Sequence, residues 1–105
     1  MSAFLDFDGK KVCLELCVYE HNRNLCIRLF VLEGGELEPY GSLTVNLDLN
    51  LPDQYGFVDI NNMPDIEEFI NKYQLGAFTG VCKTSGYCMY PLYLFDRQRL
   101  NELCY

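Results

Sequence analysis

Two stretches of strict alternation dictate most of what this chain can fold into. From Lys11 to Tyr19, the residues Val12, Leu14, Leu16 and Val18 fall on one side and Cys13, Glu15, Cys17 and Tyr19 on the other. Leu25 to Leu32 repeats the pattern, with Leu25, Ile27, Leu29 and Val31 on the apolar side. A period of two places each set on one face of a pleated strand. Glu20-His21-Asn22-Arg23-Asn24 between them are turn formers. The two strands therefore form a β-hairpin with one face committed to a core. On its other face Glu15 and Arg28 fall near one another diagonally, an ion pair of modest worth.

Gly34-Gly35 and Pro39 then mark a loop. A third strand is expected from Tyr40 to about Leu49, with Leu43, Val45, Leu47 and Leu49 inward and Ser42, Thr44, Asn46 and Asp48 outward. Leu51-Pro52-Asp53 breaks the pattern, and residues 54–60 read as a short fourth strand. Asn62 as cap, Pro64 in the first turn and Asp65, Glu67 and Glu68 beside the positive end of the dipole predict a helix start. Ile66, Phe69, Ile70 and Tyr73 keep helical spacing, and Gly76 closes a helix over about 63–74. A second hairpin follows: residues 77–83, the turn Thr84-Ser85-Gly86, and residues 87–95, with Pro91 pointing to an edge strand or a bulge. Asp96 caps a last short helix whose Leu100 and Leu103 face inward. The order predicts an α+β fold: one antiparallel sheet of about five to six strands, containing two hairpins, with the main helix and the short C-terminal helix on one face. With 105 residues and no repeat or linker, 1–105 reads as a single domain.

Charge narrows the partner. The net charge is −7, and between Arg28 and Lys72 there is no Lys or Arg, only the nine carboxylates Glu33, Glu36, Glu38, Asp48, Asp53, Asp59, Asp65, Glu67 and Glu68. Such a window makes a negative field that repels nucleic acid and attracts basic proteins. A solvated acidic face kept for solubility is the plainer alternative. No apolar stretch has the length to span a membrane. Met1 to Lys10 has no secretory pattern, so the six cysteines read as reduced, mostly buried thiols of a cytoplasmic protein.

Catalytic chemistry finds little support. No C-x-x-C is present, and Cys13 and Cys17 stand about 13 Å apart along a strand. Cys82 and Cys88 flank a turn, where they are two small hydrophobes across a hairpin, a disulfide, or half a metal site. His21 is the only histidine and lies in a polar turn, with no thiol aimed at it. There is no phosphate-binding glycine loop. The expectation is a binding protein, with no catalytic residues, metal or cofactor. Its contacts would be the carboxylates Asp48, Asp53, Asp59, Asp65, Glu67 and Glu68, and the anchors Tyr87, Met89 and Tyr90.

Four segments, Tyr40-Gly41-Ser42-Leu43-Thr44-Val45-Asn46-Leu47, Phe57-Val58-Asp59-Ile60-Asn61-Asn62, Leu75-Gly76-Ala77-Phe78-Thr79-Gly80 and Ser85-Gly86-Tyr87-Cys88-Met89-Tyr90-Pro91-Leu92-Tyr93, resemble a family of small uncharacterised proteins from plasmids and conjugative elements of gut Firmicutes. The resemblance spans about residues 40–100 and supplies no catalytic residues. It implies a mobile-element setting, in which small acidic proteins such as anti-CRISPR and antirestriction proteins disarm host defence by binding a nuclease. The expected function is therefore non-enzymatic inhibition of a basic, nucleic-acid-handling host protein such as a CRISPR effector nuclease, without direct contact to nucleic acid or membrane. The alternative is an interaction module of the conjugative element itself.

Overall fold

A computed structural model describes residues 4–104; Met1–Ala3 and Tyr105, the ends of the expected 1–105 domain, lie outside the described residues. The first hairpin forms as its alternation demands. Strands β2 (Lys10–Val18) and β3 (Leu25–Glu33) follow a short β1 (Leu5–Phe7) and precede β4 (Glu36–Ser42), and the four pair in chain order as an antiparallel meander. Val12 lies opposite Val31, Leu14 opposite Leu29 and Leu16 opposite Ile27, and all but Leu16 of these six are buried. Glu15 is directly opposite Arg28, not diagonal to it, with the charged atoms 3.8 Å apart.

Two-residue turns set this meander. Asp8 and Gly9 both have positive φ, as do Gly34 and Gly35. That is the turn whose twist matches paired strands. The Gly34-Gly35 stretch is thus a tight reversal, and the expected loop reaching Pro39 is instead strand from Glu36. Pro39 is tolerated because β4 is an edge strand and its pairing slips beside that position.

The expected third strand over residues 40–49 is divided between two sheets. After β4 the chain leaves the meander at Leu43 and begins a second sheet with β5 (Thr44–Val45) and β6 (Tyr55–Val58). Helix α1 (Ile66–Lys72) follows, then β7 (Gly76–Ser85), β8 (Cys88–Phe95) and helix α2 (Arg97–Leu103). The second sheet has the order β5-β6-β8-β7. Among the described residues the fold is α+β, with two antiparallel sheets of four strands each in place of the single sheet of five to six strands, and with two helices. One hydrophobic cluster joins Leu14, Ile27 and Leu29 of the first sheet, Val58 and Phe95 of the second, and Ile66, Ile70 and Leu100 of the helices.

The crossing explains a broken alternation. Thr44 was expected outward but is buried, because its Oγ1 accepts the Ile27 amide at 3.1 Å and meets the Tyr19 hydroxyl at 3.0 Å. Nearby, buried Asn24 donates to Asn46 Oδ1 and to the Leu49 carbonyl, and accepts from the Leu51 amide. These bonds fasten the β2–β3 turn to the β5–β6 connection and leave Leu49, expected inward, exposed.

Helix α1 is shorter than the expected 63–74. Its N-cap is Asp65, without a side-chain cap bond, and not Asn62. The left-handed residue after it is Gln74. Gly76 instead opens β7, where a Cβ would sit 2.8 Å from the Leu94 carbonyl oxygen. The α2 cap is as expected: the Asp96 carboxylate accepts the Arg99 amide at 3.0 Å.

Candidate functional site

The β7–β8 hairpin begins as part of the core and ends outside it. At its base Gly76 pairs with Phe95, Ala77 with Leu94 and Phe78 with Tyr93. Tyr93 is buried, stacks near Phe95, and donates its hydroxyl to Glu67. Burial, then the Glu67 carboxylate, hold that phenol well above its usual range.

A bulge then redirects the strands. Between Phe78 and Cys82 the register shifts, so that Cys82 pairs with Pro91. Gly80 has φ +89, and the Thr79 hydroxyl donates to the Leu92 carbonyl and accepts the Val81 amide. Extra residues on one strand bend and twist it. Pro91 faces the bulge, the second of its two expected settings. Cys88 pairs with Ser85, so Cys82 and Cys88 do not face one another as the sequence suggested. Among the described residues no group of three or more His, Cys, Asp or Glu is placed to hold a metal ion.

Past the bulge Pro91 is still buried and Cys88 and Tyr90 are partly covered, whereas β7 and the turn stand in water. Every residue of β7 after Gly76 is exposed. Phe78, Val81, Met89 and Leu94 leave between 42% and 55% of their surface in water, and Tyr87, in the Gly86-Tyr87 turn, is fully exposed. Burying one such side chain is worth about 1.5–3 kcal/mol, so this surface forgoes several kcal/mol of possible stabilisation. The free edge of β7 carries one charge, Lys83, where solitary proteins ordinarily protect an edge with several.

The expected carboxylates divide. Asp59 shares a depression with Asp8, Tyr40, Asn62 and Met63, and Asp65 and Glu68 share the adjoining one with Asp6, Asp8 and Lys72. Phe7 and Asp8 line both, so five acids gather there, two of them, Asp6 of β1 and Asp8 of the turn after it, outside the basic-free window. Lys11 lies 3.9 Å from Asp6, which with Lys72 partly offsets the charge. The Asp8-Gly9 dipeptide, a strong turn signal, would have revealed this contribution. Asp48 lies elsewhere, 3.8 Å from exposed His21, and Asp53 shares a depression with Arg23 and Arg97. Glu67 is engaged with Tyr93.

The acid cluster adjoins the hairpin. Asn61 donates to the Met89 carbonyl at 3.3 Å. Burial, the Cys88 thiol and the Asp59 carboxylate, in that order, raise the Tyr90 phenol above its ordinary range. Asp59 thus adjoins Met89 and Tyr90, Asp65 and Glu68 are connected to it through the depressions that Phe7 and Asp8 both line, and Asp48 and Asp53 lie apart.

The chain belongs to the family described as Domain of unknown function (DUF4313), whose model matches residues 13–105. That match takes in β2 from Cys13 onward, the rest of both sheets apart from β1, both helices and the whole of the exposed hairpin. No curated protein and no solved structure shows significant similarity to the chain.

Proposed function

Proceeding from that family membership, we propose that the chain is a protein-binding module whose β7–β8 hairpin docks into a partner while the Asp59–Asp65–Glu68 region meets basic residues beside it. The observation that carries this reading is the exposure of apolar Val81, Tyr87 and Met89 at and beyond the bulge, on a hairpin whose free edge carries one charge, Lys83. Tyr and Met are favoured at the desolvated centre of interfaces, and carboxylates at the rim raise the rate of encounter with a basic protein.

The partner class this favours is a basic, nucleic-acid-handling host-defence protein such as a CRISPR effector nuclease, which the chain would inhibit by occupying its surface. The mobile-element resemblance supports that choice. The test is nuclease inhibition by the purified chain at two salt concentrations. Inhibition that weakens at higher salt and is lost in Tyr87→Ala/Met89→Ala supports the proposal. A nuclease unaffected at low salt removes the inhibitor reading.

A further inference from the structure

A thiol pair lies apart from that surface. Cys17 and Cys26 are direct partners near the end of the β2–β3 ladder, and both are free. Their face of the sheet is the one turned away from Leu14, Ile27 and the rest of the core cluster. Cys26 is only 2% exposed, while Cys17 is half-buried. The Cys17 Sγ donates to the Cys26 carbonyl oxygen at 3.3 Å.

The ladder sets the two thiols directly opposite one another. Ile27 turns its amide to Thr44 and its carbonyl to Leu43, so the backbone groups of Cys26 face β2. Cys17 and Cys26 are therefore a hydrogen-bonded pair, with Cα atoms about 5.5 Å apart. That separation lies inside the roughly 4.4–6.8 Å range of disulfides, while the Cβ atoms of such a pair stand about 5.5 Å apart, beyond the usual range of about 3.5–4.5 Å, so closure strains the ladder and leaves the bond easily reduced.

We propose that Cys17 and Cys26 form a reversible thiol–disulfide site, closed by a low-molecular-weight disulfide of the glutathione class. The more exposed Cys17 loses its proton to solvent, and its thiolate attacks one sulfur of oxidised glutathione. The glutathione S–S bond breaks and one glutathione thiolate leaves. Cys26, deprotonated in turn, attacks the Cys17 sulfur of this mixed disulfide, forming the Cys17–Cys26 bond and expelling the second glutathione thiolate. The two protons lost by the protein end on the two glutathione thiols. Two electrons pass from the cysteine pair to the glutathione disulfide.

The surroundings set the rate. Burial first, then the neighbouring Cys26 thiol and the Glu15 carboxylate, push the Cys17 thiol up to about 12, with the Arg28 guanidinium opposing them. Tyr19, whose hydroxyl reaches Thr44 across β3, also faces the pair. A thiol so far above neutrality supplies little thiolate, and the first step accelerates about tenfold for each pH unit between neutrality and that value.

The full chain is incubated with oxidised glutathione, free thiols are alkylated, and peptides are mapped by mass spectrometry. The expected product joins Cys17 to Cys26, at a rate rising steeply with pH. In Cys26→Ser, or Cys26→Ala should serine disturb the fold, the glutathione adduct remains on Cys17. In Cys17→Ser, Cys26 stays unmodified. Recovery of Cys17 and Cys26 as free thiols while exposed Cys82 takes up glutathione overturns the site. Glutathione on Cys26 in the Cys17→Ser chain overturns the order of attack.

Discussion

β2–β3 and β7–β8 are antiparallel hairpins with strands of eight to ten residues, yet they stand in opposite relations to water. The first commits Val12, Leu14, Ile27, Leu29 and Val31 to the core. The second is anchored through β8, where Pro91, Tyr93 and Phe95 are buried, while β7 and the turn leave Val81, Tyr87 and Met89 of the distal half in solvent. Local pairing rules are met in both, so the difference lies in packing. A hairpin is marginal on its own in water. The exposed Val81, Tyr87 and Met89 are the part of this hairpin that the proposed docking uses.

Substitutions sharpen the contrast. Leu14→Ala or Ile27→Ala should cost about 2–5 kcal/mol in urea unfolding, since each removes a fully buried side chain from the shared cluster. Asn24→Ala should cost about 1–3 kcal/mol by the same measurement, because the Leu51 amide loses its acceptor and the Asn46 and Leu49 oxygens lose a donor. A smaller effect, about 1 kcal/mol, is expected for Tyr19→Phe, which removes the hydroxyl bonded to Thr44.

Tyr19 also makes a pH prediction. Burial chiefly raises its phenol from the ordinary 10.0 to about 12, so the folded state holds the proton more tightly than the unfolded chain. Its contribution is complete below the unfolded value and is lost as pH rises through the folded one. Melting temperature should fall less steeply between those two values in Tyr19→Phe than in the parent, and equal slopes would contradict the assignment. At the small end of the scale, Val81→Ser/Tyr87→Ser/Met89→Ser should change unfolding free energy by no more than about 0.5 kcal/mol per site. A loss of core size would show that the hairpin is packed in solution.

Legibility in the sequence followed the same divide. The β2–β3 core face, the second hairpin, the helices and the Asp96 cap were readable because each rests on periodicity or on one local bond. The division into two sheets was not, since the Leu43–Thr44 crossing depends on Thr44 bonding Ile27, seventeen residues away. β1 went unread because three residues, Leu5–Phe7, carry too short an alternation, although Asp8-Gly9 announced the turn after them. For the candidate surface, Tyr87, Met89 and Tyr90 were visible as large side chains near a turn. Phe78, Val81 and Leu94 looked like ordinary strand residues, and only the folded arrangement shows that they are uncovered. Among the acids, linear spacing grouped Asp48 and Asp53 with Asp59, while the fold sets them beside His21 and the Arg23–Arg97 depression.

The most direct test compares capture of a host-lysate partner by the parent chain and by the Val81→Ser/Tyr87→Ser/Met89→Ser chain, both shown to be equally folded by urea unfolding. The hairpin account predicts a discrete partner retained by the parent and lost from the variant. Equal retention by the two chains would contradict it.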